Sequence, residues 1–168
     1  TKEELCPTHS MRIMSISKSV TAAGIMKLRE QKGLKLDRKV FGPGSILGDT
    51  YETPKDQKWL NEITVRSLLH HTSGMRTGNG EPPFNDATAT HDDVATHLLG
   101  LKNLQDSTPH TKFEYSNLGF FWLMMVIEKL SGQTYETYIR NNVLTPSGIG
   151  QSMYVGLATG EIKPGEVH

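Results

Sequence analysis

Ser15 and Lys18 are the residue pair in this sequence best placed to do covalent chemistry. A serine hydroxyl is a weak nucleophile at neutral pH and needs a base beside it. Residues three apart on a helix share a face, so Ser15-Ile16-Ser17-Lys18 brings an amine within reach of a hydroxyl. The positive end of a helix at Ser15, together with burial, favours the neutral amine that a base must be. The chemistry this implies is nucleophilic attack by Ser15, with Lys18 accepting its proton. Ser-x-x-Lys also arises by chance in many chains, so the pair gains weight only from its surroundings.

The element that must hold the pair is a helix from Ser15 to about Gln31. Val20, Ala23 and Met26, with Ile25 and Leu28, form its apolar stripe, and Gly33 is its natural stop. Leu34 to Val40 reads as extended, and Gly42-Pro43-Gly44 as a turn. Thr64 is placed to cap a short helix through Leu68, Leu69 and His70. Residues 73–90 read as a long surface loop, and Asp92 or Asp93 as the cap of a helix to Leu99. Thr108 to Tyr115 is irregular or briefly extended. Asn117 to Leu130 is apolar nearly all round, which predicts a buried helix ending at Ser131-Gly132. A last helix, Thr134 to about Asn142, puts Tyr135, Tyr138 and Ile139 on one face, with Pro146 and Gly148 beyond it. The whole is mostly helical with little sheet.

The run Met11-Arg12-Ile13-Met14-Ser15-Ile16-Ser17-Lys18-Ser19-Val20-Thr21-Ala22 resembles the nucleophile segment of serine β-lactamases and penicillin-binding proteins, particularly the class C-like branch. Lys112-Phe113-Glu114-Tyr115-Ser116-Asn117-Leu118-Gly119-Phe120 is similar to that family's Tyr-x-Asn segment. Leu68-Leu69-His70-His71-Thr72-Ser73-Gly74 resembles a helix-end motif of the same family. The stretches around Ser131-Gly132-Gln133-Thr134-Tyr135 and Leu144 to Ile149 also resemble that family. These matches cover roughly residues 11–150 in the family's order.

The resemblance implies an α+β β-lactamase/transpeptidase-like fold in the parent protein, of which residues 1–168 are one partial domain, mostly α-helical. It implies a serine hydrolase working through an acyl-enzyme on an amide, β-lactam or ester. Tyr115, near the Lys18 ammonium, would have a lowered pKa and shuttle a proton. Asn117, donor and acceptor at once, would position the substrate or Lys18 and could also cap its helix. The Ser15 amide would give half of an oxyanion hole. His71 reads as structural, with Gly74 left-handed and Thr72 and Ser73 hydrogen-bonding locally. No cofactor is implied. The partner is a small-molecule or peptide substrate.

The family's third motif, a basic residue followed by a hydroxyl residue and glycine, has no match. Ala158-Thr159-Gly160 lacks the base, and Lys163-Pro164-Gly165 has proline at the hydroxyl position. With the chain beginning at Thr1, this gives the expectation of a fragment that is a weak catalyst or none, with apolar surface that favours self-association. The rival reading is a helical binding or scaffold module that keeps an unused Ser-Lys pair.

Composition excludes other classes. The 18 basic and 18 acidic residues cancel, leaving no global charge to attract nucleic acid or an anionic membrane. The single cysteine, Cys6, rules out an internal disulfide and a cysteine-rich zinc site. The longest apolar run, Leu118 to Ile127, is about half of what a bilayer needs. His91, Asp93 and His97 lack a recognised metal spacing and read as solvated helix-start residues. No Gly-x-Ser-x-Gly elbow and no nucleotide-binding glycine loop is present.

Overall fold

The computed structural model describes residues 6–76, 88–155 and 166. Five α-helices carry the fold among them: α1 (Ser17–Lys32), α2 (Val65–Leu69), α3 (His91–Leu99), α4 (Asn117–Ser131) and α5 (Tyr135–Ile139). Strand pairing among these residues is limited to isolated bridges, Ser10 with Glu166, Lys39 with Thr64 and Met75 with Gln105. The segments at Ala158-Thr159-Gly160 and Lys163-Pro164-Gly165, and most of the expected 73–90 loop, lie outside the described residues.

Helix α4 is the centre of the core, as its apolarity predicts. Leu118, Trp122, Leu123, Val126 and Ile127 have no exposed surface. It packs against α1, α2 and α5. Trp122 meets the ring of Phe41 edge-on, with centroids 4.8 Å apart. Removing a side chain of this size from such a site typically costs 3–5 kcal/mol, about. The buried face of α1 is Thr21, Gly24, Ile25 and Leu28. That rotates the expected stripe, leaving Met26 exposed and Val20 and Ala23 only partly covered. Thr21 is drawn inward because its hydroxyl bonds Tyr135 Oη across the α1–α5 contact at 2.6 Å.

Helix ends follow local chemistry. Gly33 closes α1 in the left-handed conformation (φ 68°), as expected, and its N–H bonds the Arg29 carbonyl. Thr64 caps α2 reciprocally with Ser67. The cap of α3 is Thr90, not Asp92 or Asp93. Asp93 sits three residues on, and its carboxylate accepts from the Thr90 N–H at 2.8 Å, completing the box at the positive helix end.

Two other expectations are corrected. Leu34 to Val40 is not a strand. Leu34 and Val40 bury as separate pegs, and the chain between them turns, with the Arg38 N–H on the Lys35 carbonyl. Its alternating apolar pattern is satisfied by the helical core, with only one bridge, Lys39 to Thr64. The last helix starts after its Thr134 cap, but past Ile139 it widens into a π-turn, Arg140–Leu144, instead of stopping at Asn142. Asn142 spans that widening by donating to the Tyr138 carbonyl.

Candidate active site

Ser15 does not begin the α-helix, as its spacing to Lys18 suggested. It lies in a 3₁₀ turn, Met14–Ile16, that leads into α1 at Ser17. Met14 before it has φ 46°, a left-handed backbone rare for a bulky residue. That conformation costs about 1–2 kcal/mol. It sets Ser15 on a sharp corner, where its side chain is exposed. Lys18, one turn further, is partly buried and reaches back, placing Nζ 3.2 Å from Ser15 Oγ.

Asn117 opens α4 and Tyr115 lies just before its cap, about a hundred residues from Ser15. Tyr115 Oη is 2.6 Å from Ser15 Oγ. Lys18 Nζ donates to Asn117 Oδ1 at 2.7 Å and lies 4.8 Å from the Tyr115 ring centroid. The four residues expected to form a site are therefore linked in one cluster, with Asn117 joined to it through Lys18. Hydrogen bonding to Lys18, then to Ser15, holds the Tyr115 phenol below its ordinary range, against the opposing effect of burial.

Asn117 does not cap α4. Ser116 does, accepting from the Gly119 N–H at 3.0 Å and donating to the Arg76 carbonyl at 2.8 Å. With the cap supplied by its neighbour, the Asn117 amide oxygen is turned to Lys18.

What carries Tyr115 to Ser15 is a ladder between the 71–76 turn and the 104–116 segment. The N–H groups of Arg76, Asp106, His110 and Glu114 bond the carbonyls of Leu104, Gly74, Thr72 and His71 respectively. Gly74, at φ 75°, makes the turn, and Ser73 Oγ accepts from the Met75 N–H at 3.3 Å. The ladder ends at His71, whose Nδ1 accepts from the Ser116 N–H at 3.1 Å. Burial, then the charge of Lys18, pushes the His71 imidazole down from its usual range.

His91 and Asp93 are each engaged by a neighbour. His91 Nδ1 bonds Glu128 at 3.1 Å and Asp93 serves the Thr90 cap. Among the described residues no cluster of three potential metal ligands occurs, and no helix is long and apolar enough to cross a membrane.

The family model described as Beta-lactamase matches residues 3–159. The chain belongs to the beta-lactamase family. This beta-lactamase-family chain is 32% identical over 163 residues to penicillin-binding protein 4* of Bacillus subtilis strain 168, covering 90% of itself and 32% of that protein. It is 30% identical to penicillin-binding protein 4 of Amycolatopsis lactamdurans, over 83% of its own length and 34% of the relative's. It spans about a third of the length of these curated relatives.

Among solved structures, the octameric penicillin-binding protein homologue from Pyrococcus abyssi aligns with TM-score 0.62 and 31% identity. That alignment covers 80% of this chain and 30% of the homologue. The D-amino acid amidase of Ochrobactrum anthropi SV3, complexed with D-phenylalanine, aligns with TM-score 0.69 and 26% identity. It covers 88% of this chain and 38% of the amidase. The described helices are thus a partial segment of a β-lactamase/transpeptidase-like fold, which accounts for their helical bias and want of sheet.

Proposed function

We propose that this chain carries the nucleophile side of a serine hydrolase site that works through an acyl-enzyme. The observation that carries the reading is Ser15 Oγ, exposed on its corner and in contact with both Tyr115 Oη at 2.6 Å and Lys18 Nζ at 3.2 Å. Ser15 gives its proton to the coupled Lys18–Tyr115 pair as its oxygen attacks a carbonyl carbon. When the tetrahedral intermediate collapses, Tyr115 returns the proton to the leaving group. Asn117 anchors Lys18 through its amide oxygen and offers its side chain to the substrate. The Ser15 amide supplies one oxyanion donor. Water then releases the acyl group.

Amides, β-lactams and esters all fit this machinery. The penicillin-binding names of two relatives and the D-amino acid amidase name of a structural neighbour favour amides and β-lactams over simple esters. The sequence offers no counterpart of the third motif, and loss of one oxyanion donor typically lowers rate by about 10²–10³. Slow turnover by this chain is the consequence. Large apolar side chains exposed near the nucleophile in sequence, Met11, Met14 and Ile16, support self-association.

The test is intact-mass spectrometry after incubation with a fluorophosphonate and, separately, a penicillin, with Ser15→Ala as control. A single adduct that maps to Ser15 and vanishes in the variant is the expected result. An unlabelled Ser15, here and in a longer chain with flanking segments, overturns the hydrolase reading in favour of a scaffold.

A further inference from the structure

His71 is a helix-end residue by sequence, yet the structure wraps it around Tyr115. Its φ of 56° is left-handed, a conformation histidine adopts more readily than most non-glycine residues. This folds the ring back over the 113–120 segment. The ring centroid lies 4.7 Å from that of Tyr115 with the planes tilted 33°, and 5.1 Å from that of Phe120. The exposed Phe113 ring meets it edge-on at 5.6 Å.

Two backbone amides, those of the residues on either side of Tyr115, also end on His71. The Glu114 N–H bonds its carbonyl at 2.7 Å. The Ser116 N–H bonds its Nδ1 at 3.1 Å. A backbone N–H only donates, so Nδ1 carries a lone pair, and the ring is neutral with its proton on Nε2.

We propose that His71 is a positioning residue for the Ser15–Lys18–Tyr115 site, gripping Tyr115 by its ring and by the amides on both sides. The proposal rests on the hydrolase reading for its effect on catalysis, not for the grip itself. His71 touches neither Ser15 nor a reacting atom. It acts by keeping Tyr115 Oη where both Ser15 and Lys18 reach it. The ionisable groups facing it are Lys18 from α1 and Tyr115 from the segment before α4, and Glu114 of that segment is bound through its backbone. Protonation at Nδ1 would remove the acceptor for the Ser116 N–H and set a positive charge beside the Lys18–Tyr115 pair. The grip holds while the imidazole is neutral.

Three variants in the full 168-residue chain separate the contributions. His71→Ala removes acceptor and ring. His71→Phe keeps a ring without the acceptor. His71→Asn keeps an acceptor and tolerates the left-handed backbone. Far-UV circular dichroism establishes that each is folded.

The first readout is tyrosinate absorbance against pH, with Tyr115→Phe subtracted to isolate Tyr115. It should titrate below the ordinary value near 10 in the parent chain, return toward that value in His71→Ala and His71→Phe, and stay low in His71→Asn. The second is the rate of fluorophosphonate labelling at Ser15. A small misplacement of a catalytic group can cost up to about 10²-fold, so a fall of at least about tenfold is expected in His71→Ala, with partial recovery in His71→Asn.

A folded His71→Ala or His71→Phe with the parent's Tyr115 titration overturns the proposal, as does an ordinary Tyr115 titration in the parent. If His71→Ala does not fold, His71→Phe against His71→Asn decides on the same criterion. If Ser15 is never labelled, the hydrolase reading fails, and the Tyr115 titration still decides the grip.

Discussion

Gly74→Ala should be among the more damaging single-methyl additions to this chain, and the structure says why. Gly74 sits at φ 75°, where a Cβ would lie 2.1 Å from the Ser107 carbonyl oxygen and 3.2 Å from the Pro109 nitrogen. The left-handed backbone alone costs alanine about 1–2 kcal/mol. Relieving the clash requires the 105–109 segment to retreat by more than an ångström, because its close atoms are backbone. That retreat breaks the bonds from the Asp106 and Ser107 N–H groups to the Gly74 carbonyl, at 2.8 and 3.3 Å. Each is worth about 0.5–1.5 kcal/mol net. The sum is about 2–5 kcal/mol, against about 5–15 kcal/mol for a whole domain.

Gly33→Ala isolates the backbone contribution. Gly33 has φ 68°, yet nothing lies within 4 Å of its Cβ position. Urea unfolding followed by far-UV circular dichroism and by the combined fluorescence of Trp59 and buried Trp122 measures both. Gly74→Ala should be less stable than Gly33→Ala by at least about 1 kcal/mol, the value of the lost ladder bonds. Equal stabilities would refute the ladder as the source of the cost.

Lys18→Ala should slow fluorophosphonate labelling of Ser15 by about 10²–10⁴, the usual worth of a positioned proton acceptor, and Lys18→Arg should not restore it. Labelling within a few-fold of the parent would remove Lys18 from the chemistry. The labelling rate should rise with pH and level off below the ordinary tyrosine range near 10, because Lys18 and Ser15 favour the Tyr115 phenolate, and Tyr115→Phe should abolish that limb. The His91–Glu128 contact raises the His91 pKa, so its stabilisation is complete below about 6.5 and fades as pH climbs through the higher folded value. His91 is half exposed, so the effect is at most about 1 kcal/mol, and His91→Ala should flatten that part of the stability–pH curve. Thr64→Ala should cost about 1 kcal/mol in urea unfolding through loss of the bond to the Ser67 N–H at 3.1 Å, and no measurable loss would mean Ser67 alone closes the α2 end.

The sequence by itself marked out most of the helices and the residues proposed for the chemistry. Helical spacing of Ser15 and Lys18, the apolar run that became α4, and Gly33 as a helix stop are local signals, each decided within a few residues. The family motifs then picked out Tyr115 and Asn117, which no spacing argument links to Ser15 across a hundred intervening positions.

Only the tertiary structure decided how those residues meet. The corner at Ser15 depends on the left-handed Met14, which nothing in an apolar side chain announces. Ser116 took the cap of α4 from Asn117 because its hydroxyl also reaches the Arg76 carbonyl, a partner 40 positions away. His71 passed from a helix-end residue to the grip on Tyr115 for the same reason. Its hydrogen bonds to Glu114 and Ser116 exist only once the 71–76 turn and the 104–116 segment lie side by side, and that pairing follows from packing, not from any local pattern.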